Sequence, residues 1–196
     1  MLHALYMPIV GILFVINFVI STAGNAFIIG AQSITNDLFH LSSRDLGLYF
    51  TVIGIVSIIM QGFGVGKLLK FFPNKPKVVF YSTLAGAISM AALFWARTFG
   101  THMITSILYL IVVAPLMPLL SGLLSENAPQ EDQGEILGIN QSYMSLGQIL
   151  GPLMAGAVSE VTIPGVFLLS SSLFVVSLVL TGVAFNWTFA GNAQKR

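Results

Sequence analysis

Apolar residues run through this chain in six long stretches, each divided from the next by a short knot of charged, proline and turn-forming residues. A helix needs about 20 mostly apolar residues to cross a hydrocarbon core of about 30 Å, so each stretch predicts one membrane-spanning helix. The spans are expected at residues 4–31, 46–66, 78–96, 103–124, 136–158 and 163–189 of a single 196-residue transmembrane domain. Nearly all charge falls between them, as expected when a Lys, Arg or Asp at a helix centre costs on the order of 3 kcal/mol. The first stretch lacks a basic leader, exceeds the roughly 7 to 15 apolar residues of a secretory signal, and is followed by five more spans, so it is expected to stay in the protein. Two boundaries carry local start signals. Ser42 and Asp45 have capping-box spacing before the second span. Pro129, Glu131 and Asp132 precede the fifth, where carboxylates favour the positive end of the helix dipole.

Polar positions inside the spans define faces. Membrane helices gain no hydrophobic energy by leaving lipid for one another, so their contacts rest on small residues and on polar groups that hydrocarbon would leave unsatisfied. In the first span Asn17, Ser21 and Asn25 recur every four residues beside Gly24; in the second, Gly47, Gly54 and Gln61 recur every seven. The fifth span shows two neighbouring faces. One holds Gln141, Ser145, Gln148 and Pro152, and suits a cavity wall. The other holds Asn140, Met144, Gly147 and Gly151, and suits close backbone approach. Each polar residue has two readings, a hydrogen-bonded interhelical contact or a place on a solute cavity; Asn17, Asn25, Gln61, Asn140, Gln141, Tyr143 and Gln148 are the cavity candidates. Pro115 and Pro118 are expected to bend the fourth span, since each removes a backbone donor.

Composition sharpens the picture. The chain is 56% hydrophobic and only 8% charged, with mean hydropathy +0.90, which excludes a water-soluble globular domain. Without Cys there is no disulfide or thiolate chemistry, and a net charge of +1 leaves no footprint for nucleic acid. Lys67, Lys70, Lys75, Lys77, Lys195 and Arg196 fall on the side of both termini, against Arg44 and Arg97 opposite. By the positive-inside rule both termini are expected in the cytoplasm. Glu126, Glu131, Asp132 and Glu135 share that face with the lysines, either as solvated loop charges or as an ion-pair network.

Enzyme chemistry is not expected. His3, His40 and His102 lie in separate segments with no paired-ligand spacing, so neither a metal nor any other cofactor is expected. No span carries a central Asp, Glu, Lys or His to serve as an intramembrane nucleophile's partner or as a proton carrier. Proton coupling would have to use groups outside this sequence.

The segment "MPLLSGLLSENAPQEDQGEILGINQSYMSLGQILGPLMAG", residues 117–156, resembles the tenth and eleventh helices of the major facilitator superfamily, and within it the tetracycline-efflux type of drug:proton antiporter. The resemblance rests on Pro118, Ser125, Gln133, Gly134 and Gly138, then on Gly147, Gly151, Pro152 and Gly156, whose G-x-x-x-G-P-x-x-x-G spacing is similar to the family's antiporter motif. Residues 58–79 resemble the end of the eighth helix and the basic loop after it, matching at Gly66, Leu68, Lys70, Lys75 and Lys77. They depart at Pro73, which stands in place of a Gly, and in lacking the acidic residue.

The resemblance implies an all-α polytopic membrane protein whose six helices form two inverted three-helix repeats, the C-terminal half of a twelve-helix transporter. It also implies that the first, second, fourth and fifth spans approach a central cavity, with Gly147, Gly151, Pro152 and Gly156 as a packing and gating motif. The expected function is efflux of a small amphipathic or drug-like solute by alternating access, coupled to protons through an N-terminal six-helix half. The expected partners are the lipid bilayer, that second half or another copy of the chain, and the solute; a bacterial-type cytoplasmic membrane is the expected location. The chain begins almost at the membrane, so a piece of a longer protein is favoured over a natural half. A non-transporting scaffold that binds other membrane subunits is the alternative.

Overall fold

A computed structural model describes the backbone of residues 8–193 and the side chains of residues 9–184. The first residues of the expected first span, His3, Lys195 and Arg196 lie outside the described residues. Within these limits every regular element is helical. Helix α1 (Pro8–Ser33) runs on through a π-helical turn at Ile34–Leu38. Helix α2 (Ser43–Ile59) continues through a second π-helical turn, Met60–Gly64, into the short α3 (Val65–Phe71). Then come α4 (Lys75–Phe94), α5 (Phe99–Val113), α6 (Leu116–Asn127), α7 (Gln133–Ser159) and α8 (Gly165–Ala193). Together they make six helical passages.

Five passages are long and apolar enough to cross a membrane: Ile9–Leu38, Ser43–Phe71, Lys75–Phe94, Phe99–Asn127 and Gly165–Ala184. The fifth passage, α7, is the departure from the six expected apolar spans. Its 27 residues reach about 40 Å at 1.5 Å per residue, but its amides, serines and glycines dilute its hydropathy. A helix of this kind enters a membrane only against protein.

Local chemistry sets the helix ends. Ser42 and Asp45 form the expected capping box, the Ser42 hydroxyl accepting the Asp45 amide at 3.3 Å while the Asp45 carboxylate accepts the Ser42 amide. Thr98 and Thr101 cap α5 by the same exchange, and Asn74 accepts the Lys77 amide at the start of α4. The fourth passage breaks at Ala114 and Pro115. Pro115 has no amide to continue α5, whereas Pro118 lies in the first turn of α6, where the missing donor costs nothing.

The tightest pairing joins α1 and α7. A Cβ on Gly147 would stand 2.8 Å from the Phe18 carbonyl oxygen, and one on Gly151 would stand 2.6 Å from that of Thr22. Two bare turns of α7 therefore lie directly on the α1 backbone. Helix α8 packs on both α1 and α4; a Cβ on Gly86 would meet the Phe174 ring at 2.9 Å. The main core, with Phe14, Tyr49, Met90, Leu120, Phe167 and Phe174 fully buried, lies between these layers.

The loops sort to two ends. Lys75 and Glu126 form an ion pair, bringing the loop after α3 and the end of α6 together. At the other end Phe39 stacks edge-on to Phe99 with centroids 6.2 Å apart, joining the loop after α1 to the start of α5. Successive passages thus alternate in direction.

Candidate functional site

The polar stripes of the first and fifth spans divide between a buried joint and an open cleft. Asn17, fully buried on α1, donates its amide to the Asn140 side-chain oxygen on α7 at 2.8 Å. Asn140 in turn donates to the Met144 sulfur at 3.5 Å, and the Ser21 hydroxyl donates to the Met144 carbonyl at 2.9 Å. Beside them Tyr143 stacks on Phe14, centroids 5.4 Å apart. These groups hold α1 to α7, and Ser21 and Met144 also border the cleft beside them.

A turn or two further along α1, a cleft of about 480 Å³ opens beside this joint, between α1, α2, α5, α6 and α7. Asn25 from α1, Gln61 from the π-helical turn and Gln148 from α7 line it, with Ser57 of α2 and Tyr109 of α5. Of the seven cavity candidates, these three amides are the ones the fold brings to the cleft. Asn17, Asn140 and Tyr143 belong to the α1–α7 joint, and Gln141 is exposed outside it. The Asn25 amide donates back to the Ser21 carbonyl at 2.9 Å and the Ser57 hydroxyl to the Ile53 carbonyl, so part of their capacity is spent locally. Among the described residues, neither the Gln61 nor the Gln148 amide has a protein hydrogen-bond partner, and both can serve a ligand.

Apart from Ser21, the rest of the lining is apolar or aromatic. Phe27 lies against Tyr109 at 4.7 Å, and Phe174 meets the Tyr109 ring edge-on at 6.0 Å. Among the described residues, no charged side chain lines this cleft. Concave, mostly apolar walls with a few fixed polar groups are what a neutral or weakly polar small molecule needs.

Gln61 reaches the cleft on the helical face that also carries Phe50, Ile53 and Ser57, at spacings of three and four residues. Gly47 and Gly54 have nothing within 4 Å of a built Cβ, and only Gln61 enters the cleft. Gly156 is likewise open, so close approach in the glycine motif is confined to Gly147 and Gly151. Pro152, within α7, is half-buried.

Reading the sequence missed Tyr109 and the cluster below it. Tyr49 of α2 donates to the Ser106 hydroxyl at 2.9 Å and lies 3.3 Å from His102 Nε2, all three side chains buried. The signal was present as His102, Ser106 and Tyr109, spaced four and three residues apart on one face of the fourth span.

With this geometry in view, the sequence matches the profile of the Major Facilitator Superfamily over residues 13–194. The chain belongs to the Major Facilitator Superfamily. It is accordingly a multi-pass integral membrane protein of a transporter family and not an enzyme. Major facilitator relatives include "Multidrug resistance protein 2" of Bacillus subtilis, 27% identical over 176 residues that cover 90% of this chain and 44% of the relative. Another is "Quinolone resistance protein NorA" of Staphylococcus aureus, 27% identical over 149 residues, 76% of this chain and 38% of that one. The human organic anion transporter MFSD10 (TETRAN) shares the fold, with a TM-score of 0.78 at 21% identity over 88% of this chain and 40% of that structure. The chain thus spans about two-fifths of the length of the major facilitator relatives it matches.

Proposed function

We propose that this chain is one six-helix half, the C-terminal one, of an alternating-access transporter that exports small amphipathic or drug-like solutes. The observation that carries the reading is the uncharged cleft between the first, second, fourth and fifth passages, lined by Asn25, Gln61 and Gln148 among aromatic walls. Relatives named for multidrug and quinolone resistance agree with such a ligand class. Asn17, Asn140, Gln141 and Tyr143 act in this reading as supports and rim of the binding region. Gly147 and Gly151, with Pro152 beside them, form the seam on which α7 shifts against α1, and the open Gly156 lies beyond it. The face carrying Lys67, Lys70, Lys75 and Lys77 lies in the cytoplasm of a bacterial-type membrane.

The seven acidic residues all stand at or between helix ends, so proton coupling runs through the complementary half. The test is solute efflux from cells expressing the full-length product of the reading frame, with Asn25→Ala and Gln148→Ala compared at equal folded abundance. Loss of one ligand hydrogen bond, about 1 kcal/mol, lowers export roughly fivefold for each. Wild-type export by both variants, with loss of association to another membrane subunit, overturns the reading in favour of a scaffold.

A further inference from the structure

A second hollow, about 710 Å³, shares no lining residue with the cleft. It opens where α3, the turn after it and the first half of α4 meet the bend between α5 and α6. Its walls join two kinds of surface. Val78, Ala85, Ile111 and Val112 make one side apolar, while Lys67 from α3 and Lys77 from α4 line it from separate helices. Phe71 and Phe72, 81% and 61% exposed, and Tyr81, 63% exposed, also line it. Exposed aromatic rings beside lysines at the end of an apolar span mark the membrane–water boundary.

The lysines of this end are not equivalent. Lys75 is ion-paired with Glu126. Among the described residues, neither Lys67 nor Lys77 has a carboxylate within ion-pair reach, and Lys70 does not line the hollow. Two uncompensated positive charges at headgroup level, over an apolar wall at acyl-chain level, complement an amphiphile with an anionic head. The geometry points to a binding groove for an anionic phospholipid, its phosphate held between Lys67 and Lys77 and an acyl chain laid along Val78, Ile111 and Val112. A zwitterionic lipid brings its own ammonium to the same place and gains less. A free phosphate leaves the apolar wall uncovered.

The experiment uses the full-length product of the reading frame, delipidated in mild detergent and titrated separately with phosphatidylglycerol and phosphatidylcholine, bound lipid being counted by native mass spectrometry. Phosphatidylglycerol is expected to bind more tightly. Each basic group near an anionic head contributes several-fold, so K67Q/K77Q weakens phosphatidylglycerol roughly tenfold or more and leaves phosphatidylcholine unchanged. Ala85→Phe fills the groove without altering charge and releases phosphatidylglycerol as well. Equal binding of the two lipids, or an unaltered K67Q/K77Q variant, overturns the proposal. So does a loss in K70Q as large as in the double variant, since it signals diffuse surface attraction. A photo-crosslinking residue in place of Tyr81, activated in intact membranes, gives an independent reading that needs no Ala85 variant. Lipid adducts are expected, and an adduct to a protein segment overturns the groove as a lipid site.

Discussion

At Gly151 a single methyl group decides whether two helices can touch. An alanine Cβ would stand 2.6 Å from the Thr22 carbonyl oxygen and 2.8 Å from the Asn25 Cβ, both on a backbone that cannot swing aside. Gly151→Ala is therefore expected to destabilise by about 1–3 kcal/mol, the usual cost of overpacking, and Gly156→Ala, with nothing within 4 Å, to be neutral. Thermal unfolding in detergent of the two variants checks the contrast; equal midpoints would mean that α1 and α7 do not rest on that turn. The Asn17–Asn140 pair offers a second test. Asn17→Ala and Asn140→Ala should each cost about 0.5–2 kcal/mol, and the double variant less than their sum, because the second change removes a partner already orphaned. Additive losses would show that the amides do not act together. These residues also show what a sequence can and cannot say. Asn17, Ser21 and Asn25 are plainly one polar stripe, but a four-residue step turns about 40° too far on a helix of 3.6 residues per turn. The stripe winds, so the Asn17 amide bonds to α7 while Asn25, its Cβ still against Gly151, lines the cleft. Which end of a stripe is packed depends on the neighbouring helix, and that information lies some 120 residues away.

Elements were more legible than their joints. Apolar run length located six helical passages, and capping-box spacing at Ser42 located a helix start, because both depend on residues close in sequence. The two π-helical turns have no such local signature, and they reset the phase of everything after them. Pro115 is intermediate: a bend is predictable, its consequence is not. Here it divides the fourth passage into α5 and α6, with Pro118 absorbed harmlessly in the first turn of α6. Pro115→Ala restores an amide that can join α5 to α6 in one straighter helix. If the bend shapes the cleft walls at Val113, Ala114 and Leu116, this variant should fold at least as stably and export several-fold less. Export and thermal midpoint measured together separate the cases, and unchanged export would leave the bend without a part in transport. The Lys75–Glu126 ion pair predicts the opposite sort of result. Both side chains are substantially exposed, at 38% and 52%, so Lys75→Gln should shift stability by less than about 1 kcal/mol.

In the whole molecule the passages are held unequally. Sixty-one per cent of the first passage's most apolar stretch is buried, against 11% for Ser43–Phe71. The second passage is thus the loosest wall of the cleft, and its outward residues, Ile55, Ile58 and Phe63 among them, are apolar and await lipid or another protein surface. What ties it down at one end is polar: the Tyr49 hydroxyl, bonded to Ser106 and close to His102 on α5. Regions with few buried contacts open at low free-energy cost, so amides of α2 should exchange with deuterium faster than those of α1 and α7. Tyr49→Phe removes the hydroxyl and leaves buried His102 and Ser106 without that partner, a loss of about 1–3 kcal/mol. Because the bond joins only α2 to α5, the variant should raise exchange in α2 by tenfold or more while the α1–α7 seam stays protected. A uniform rise across all helices would mean that the bundle opens as one unit. A rise confined to α2 would identify the second passage as the wall that moves, and would tie the cleft's opening to a single hydroxyl at its far end.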